Sequence, residues 1–134
     1  MGTVSETTNV STGMQKFTGG FRKLLAWQKA HELTILIYKV TTMFPPSERF
    51  GIVDQLRRAS SSIGAQIAEG SRMNSSPHRR IYYERAYASH AEVDNFLELA
   101  HDLNLIADEQ YRELLEKVNK AGYFVQKLLQ SCRT

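Results

Sequence analysis

Apolar positions recur along most of this chain at the three- and four-residue spacing of helices, and nowhere at the two-residue alternation of strands. The first periodic segment runs from about Phe21 to Met43. Leu24, Trp27, His31, Ile35, Tyr38 and Thr42 form its expected core row, widened by Leu25, Leu36 and Met43. Phe44-Pro45-Pro46 ends it, because proline lacks an amide donor and disfavours helix at the residue before it. A second helix is expected from Ser47 as N-cap, with Glu48 in the first turn where the helix dipole favours an anion. Its core row is Ile52, Leu56, Ala59, Ile63 and Ile67, and Gly70 is its expected stop.

After a polar loop over 71–76, Ser76 is the expected cap of a third helix with Pro77 at its first helical position. This helix should bury Tyr82, Ala86, Val93, Leu97, Ala100 and Leu103. Asn104 to Ala107 read as a short turn, and Asp108 as the cap of a fourth helix. That helix carries Tyr111, Leu114, Leu115, Val118, Ala121, Val125, Leu128 and Leu129. Short connections between long helices place neighbours antiparallel, so the expected fold is all-α, an up-down-up-down four-helix bundle over residues 21–134. Residues 1–20 are rich in Thr, Ser and Gly without a hydrophobic period and read as a flexible N-terminal tail.

The second helix has an unusual centre. Ala59 to Ala68 holds no charge and many small side chains, among them Ser60, Ser61, Ser62, Gly64 and Ala65. A solvated helix keeps a charged face; a run of small and apolar residues points to burial on several sides and close backbone approach. Beside the apolar row, Gln55, Arg58, Ser62, Gln66 and Glu69 make a polar row at helical spacing. These five are the candidate subunit-interface residues, since a polar seam flanking a core stripe suits a contact between copies.

At 134 residues the chain has the length of one domain with a proper core. Net charge is +3 and the pI about 9.1, which permits nucleic-acid binding without demanding it. The distribution says more than the sum. Arg49, Arg57, Arg58, Arg72, Arg79, Arg80 and Arg85 gather around the junction of the second and third helices, with no lysine between Lys39 and Lys117. Acidic residues follow: Glu92, Asp94, Glu98, Asp102, Asp108, Glu109, Glu113 and Glu116. Two readings stay open, because the guanidinium fork suits phosphates and carboxylates alike. The arginines track a nucleic-acid backbone, with Arg49, Arg57, Arg72, Arg79 and Arg80 as the candidate contacts, or they pair with the acidic stretch within or between subunits.

Catalytic and metal chemistry find little support. Glu98-x-x-His101 matches half of a di-iron carboxylate pattern, but neither His90 nor His31 has a glutamate three residues before it. A solvated Glu98/His101 pair and hydrogen-bonded His31 and His90 are the expected roles, and His78 reads as a solvated loop-end residue. The serines Ser60 to Ser62 have no nucleophile elbow, and no glycine loop cradles a phosphate. The expectation is a non-enzyme with no cofactor and no metal. The single cysteine, Cys132, reads as a small apolar residue at a helix end. No apolar run approaches the roughly 18 residues of a membrane span and no signal pattern is visible, so a cytoplasmic location is expected.

Leu25-Ala26-Trp27-Gln28-Lys29-Ala30, Ile37-Tyr38, Phe44-Pro45 and Glu48-Arg49-Phe50-Gly51 resemble the first half of the four-helix family named for 23S rRNA intervening-sequence proteins. Gln55-Leu56-Arg57-Arg58-Ala59, Ser62-Ile63 and Ile67-Ala68-Glu69-Gly70 resemble its central signature. Three positions depart from it: Gly64 where the family has proline, Gln66 where it has asparagine, and Ala88-Ser89-His90-Ala91-Glu92 where it has Gly-Ser before the glutamate. The resemblance implies a four-helix protomer, a homopentamer and a basic surface for RNA or other nucleic acid, without catalysis. Accessory proteins of diversity-generating retroelements are similar, and through them a reverse transcriptase is an implied partner.

Overall fold

The computed structural model describes residues 20–132. The tail expected over residues 1–20 lies outside them, except for Gly20. A short 3-10 turn (Gly20–Lys23) leads into α1 (Leu25–Thr41); α2 (Ile52–Ser71), α3 (Ser76–Asp102) and α4 (Asp108–Gln130) follow. Each helix packs on its two chain neighbours, with α4 returning to α1, so α1 and α3 lie on one diagonal and α2 and α4 on the other. This is the expected up-down bundle. The start of α1, the α2–α3 connection and the end of α4 share the near end; the other two connections share the far end.

The core is filled along α2 by Leu56, Ile63 and Ile67, along α3 by Val93 and Leu97, and along α4 by Leu114, Val118 and Val125, all fully buried. The expected row of α2 is therefore the buried one, joined by Val53, Ser60 and Gly70. In α1 the buried row is a different one: Ala26, Ala30, Leu33, Ile37 and Val40, with Thr41. Of the expected row, Leu24 and Trp27 pack partly buried against this core, whereas Ile35 (45%), Tyr38 (43%) and Thr42 are exposed. Both rows have helical spacing, and the one with the small Ala26 and Ala30 faces inward because it lets neighbouring backbones approach.

The helix ends also differ from expectation. Pro46–Glu48 forms a separate 3-10 turn, and α2 starts at Ile52 with Gly51, not Ser47, as its N-cap. Gly70 is not a stop but a buried residue inside α2, where a Cβ would stand 2.7 Å from Tyr83 Cε1 and 2.9 Å from Tyr82 Cβ. Ser75, one residue before the expected cap, receives the His78 N–H on its hydroxyl at 3.4 Å. In α3, Tyr83 is buried in place of Tyr82, and Leu103 is exposed. α3 closes through Asn104 in the left-handed region (φ 62°), with the Leu105 N–H donating to Ala100 C=O at 2.9 Å. Ala107 is the N-cap position of α4 and Asp108 its first helical residue.

Candidate nucleic-acid interface

The α2–α3 connection is built by arginine as much as it carries arginine. Arg79 donates from Nη1 to Met73 C=O (3.1 Å) and from Nη2 to Ser76 Oγ (3.0 Å), which pins the loop against the first turn of α3. Arg80 pairs with Glu84 one turn on (3.1 Å), and both ends of that pair are solvated. Arg72, the C-cap of α2, is exposed. The antiparallel topology brings a second basic segment to the same end: Arg22 and Lys23 of the 3-10 turn. With Arg72, Phe21 and Tyr83 they line a cavity of about 420 Å³. The Arg22 guanidinium lies 4.5 Å from the Phe21 ring, which in turn meets Trp27 edge-on at 5.1 Å.

The five candidate arginines do not form one surface. Arg57 stands fifteen residues before Arg72 on α2, roughly 22 Å along the axis at 1.5 Å per residue. Its guanidinium donates to Thr41 Oγ1 (2.9 Å) and Tyr38 C=O (3.2 Å) and lies 4.6 Å from the Tyr38 ring. Those bonds satisfy carbonyl and hydroxyl groups at the C-terminal end of α1, so Arg57 is a structural clamp. Arg49 also belongs to the far end, 5.6 Å from the Phe50 ring. Arg72, Arg79 and Arg80 remain together. No hydrogen bond or ion pair joins any of the five to Glu92, Asp94 or Glu98 among the described residues.

The polar row of α2 turns toward α3. Ser62 Oγ accepts from Ser89 Oγ at 3.0 Å, and Gln66 Oε1 is buried without a hydrogen-bond partner. Gln55, Arg58 and Glu69 are exposed. The row is thus divided between a seam inside the protomer and the solvent.

The histidines knit helices together. His90 Nε2 lies 2.8 Å from Val118 C=O, its ring filling the place a Cβ on Gly122 would take (2.6 Å). His31 stacks on Trp27 at 4.6 Å. His101 does not pair with Glu98. It donates from Nε2 to Asp108 Oδ1 (2.7 Å) and stacks on Tyr111 at 4.0 Å, closing the α3–α4 connection. That hydrogen bond holds the Asp108 carboxyl below the ordinary carboxylate value. Burial pushes the Tyr111 hydroxyl up, with help from Glu98, Asp94 and Asp102. Among the described residues no three His, Cys, Asp or Glu side chains converge as a metal site, and no helix is long and apolar enough to cross a membrane.

The basic near end gathers Arg22, Lys23, Arg72, Arg79 and Arg80, with Lys127 in the last turn of α4. Arg22, Lys23 and Lys127 were absent from the candidate set because they are remote in sequence. The antiparallel order of four helices was the signal that would have found them.

Residues 22–127 match the model of the 23S rRNA-intervening sequence protein family. The chain belongs to that family. No curated protein matches it. Among solved structures it is similar to a protein of unknown function from the S23 ribosomal protein family of Bacteroides thetaiotaomicron, with a TM-score of 0.69 and 22% identity. That match covers 78% of this chain and 97% of the other. At this identity the likeness concerns the fold. For this member of the intervening-sequence family, the bundle itself is therefore shared with a solved relative, and the division of its arginines between two ends is read from its own side chains.

Proposed function

We propose that the protein is a non-enzymatic, cytoplasmic homo-oligomer that binds structured RNA through the near end of its bundle. The observation that carries this reading is the meeting of Arg72, Arg79 and Arg80 with Arg22 and Lys23, two segments far apart in sequence, at one end of the molecule. Phosphate oxygens are the chemistry this group recognises: Arg72 projects from a helix end, and Arg80 is held only by a solvated pair of small worth. Arg79 supports the loop from which the others project.

Filter binding of the full chain to a stem-loop RNA at two salt concentrations tests this. Affinity should fall steeply with salt, and Arg72→Ala with Arg80→Ala should reduce the log–log slope by about 1 per lost phosphate contact. Arg57→Ala serves as control, with RNA affinity unchanged. Absence of binding at low salt overturns the reading.

A second reading is an interaction scaffold that recruits a protein such as a reverse transcriptase. Exposed Tyr87 of α3 and Tyr123 of α4 favour it, since aromatic side chains are enriched at protein contacts. Binding of a purified reverse transcriptase without RNA, lost on Tyr123→Ala, would select this reading over the first.

A further inference from the structure

Two recesses of this molecule carry charge, and they carry it differently. The one between α1 and α4 sets Lys29, Lys117 and Lys120 beside Glu32 and Glu116, so its charges answer one another. The near-end cavity of about 420 Å³ has no acidic side chain in its lining among the described residues. Arg22, Lys23 and Arg72 supply its charge, and Phe21, Leu24 and Tyr83 its apolar wall. The acids nearest in sequence are Glu69, exposed one turn before Arg72, and Glu84, which Arg80 holds at 3.1 Å. The last carbonyls of α2 would repel an anion, but they are engaged. Ala68 C=O accepts from Ser71 Oγ at 2.7 Å, Glu69 C=O from the Arg72 N–H at 3.1 Å and Gly70 C=O from the Met73 N–H at 3.0 Å.

Tyr83 is the second observation. It is only 3% exposed, and its ring is fixed: a Cβ on Gly70 would stand 2.7 Å from Cε1 and 3.0 Å from Cδ1. A buried phenol ordinarily finds a hydrogen-bond partner. The Tyr83 hydroxyl makes no hydrogen bond among the described residues, yet Gln66 Oε1 is the only side-chain polar atom among them sealed from solvent without one. The hydroxyl is therefore the part of Tyr83 left open, and the cavity is what it opens to. Burial, and after it Cys132, push this phenol up against the opposing pull of Arg79, so it keeps its proton and can donate.

We infer that this cavity seats one unpaired nucleotide of an RNA strand, its base against Tyr83, Leu24 and Phe21 and its phosphate on Arg72 and Lys23. The inference rests on the RNA-binding reading above and names the part of the RNA that the near end recognises. The volume lies within the roughly 300–1,000 Å³ of ligand sites. A nucleotide joins a flat, weakly polar body to an adjacent anion, the same division that the lining shows. Phosphate alone would leave the apolar wall and the Tyr83 hydroxyl unused. A paired base cannot enter, because its faces are stacked and its pairing edge is bonded, whereas a base in a bulge or loop splays out. Ser71 Oγ keeps acceptor capacity beside the Tyr83 donor, so a base edge or a ribose hydroxyl finds both roles there.

Two short RNA duplexes test this with the full chain, identical except that one carries a single bulged fluorescent adenine analogue and the other has that analogue paired. The bulged duplex should bind about tenfold or more tightly. Its analogue should also become shielded from the soluble quencher acrylamide on binding. Tyr83→Phe removes the hydroxyl and keeps the ring that packs on Gly70. This variant should weaken the bulged duplex by about three- to tenfold and leave the paired one unchanged. A variant that merely loosened the fold would weaken both. Equal affinity for the two duplexes, an unshielded analogue, or no selective effect of Tyr83→Phe overturns the assignment while the RNA-binding reading stands. If neither duplex nor the stem-loop RNA above binds at low salt, that reading falls and this inference with it.

Discussion

α2 packs against α3 on one flank and α1 on the other, and the two contacts are built on different terms. Against α3 the backbones come so close that Gly70 has no room for a methyl group beside the buried Tyr83. Ser62 and Ser89 join hydroxyls across the same seam. Against α1 the helix is held through side chains: Arg57 clamps the end of α1, and the Thr34 hydroxyl sits 3.0 Å from Ser60 C=O. Gly64, on this looser flank, meets Trp27 only at ordinary contact, 3.4 Å to Nε1. Two glycines of one helix, six residues apart, therefore have different reasons to exist. The first is required by a neighbour, whereas the second leaves space unused.

Gly70→Ala is the strongest way to break that contrast. The added methyl overlaps a buried ring that cannot withdraw, and the strain should exceed the gain in helix propensity. Urea unfolding should show a loss of about 2–3 kcal/mol. Gly64→Ala should do the reverse, stabilising by about 0.5–1 kcal/mol, because the methyl fits and the helix interior loses a flexible residue. Equal losses in both variants would mean that the two flanks are packed alike.

The smallest effect concerns the α3–α4 junction, which is closed by His101 and Asp108. The folded chain holds Asp108 below its ordinary value, so it binds that proton more weakly than the unfolded chain does. The resulting stability is present above the ordinary aspartate value near 4 and is lost as pH falls through the lowered one. Asp108→Asn should flatten the acid limb of the stability–pH curve. Because Asp108 is exposed, the change should be slight. An unaltered acid limb would show that the bond contributes no pH dependence.

The four helices and their antiparallel order were legible in the spacing of apolar residues, and the core row of α2 was read correctly. In α1 the fully buried row was missed, although Leu24, Trp27 and Leu36 of the expected stripe do pack against the core. The two rows of this helix share one period, and the row with Trp27, Ile35 and Tyr38 is the more hydrophobic by side-chain size. What decides the inward face is how near the backbones come, a property of helix pairs that Ala26 and Ala30 only hint at. The reading of Gly70 as a stop failed for the same reason, since a glycine needed for close approach and one needed for a left-handed turn look alike in sequence. At the candidate interface, Arg72, Arg79 and Arg80 stand at one end of the bundle, as their proximity in the chain implies. Arg57 was misplaced among them, because fifteen residues of helix separate its side chain from Arg72.

Cys132 is buried near the end of α4, its Sγ 3.6 Å from Leu128 C=O, and it is the only thiol in the chain. Nature has thus placed one chemical reporter beneath the end of the molecule that carries the arginines. A thiol reagent can reach it only when that end opens. Its labelling rate is consequently a clock for fraying of the last turn of α4, read without any engineered probe.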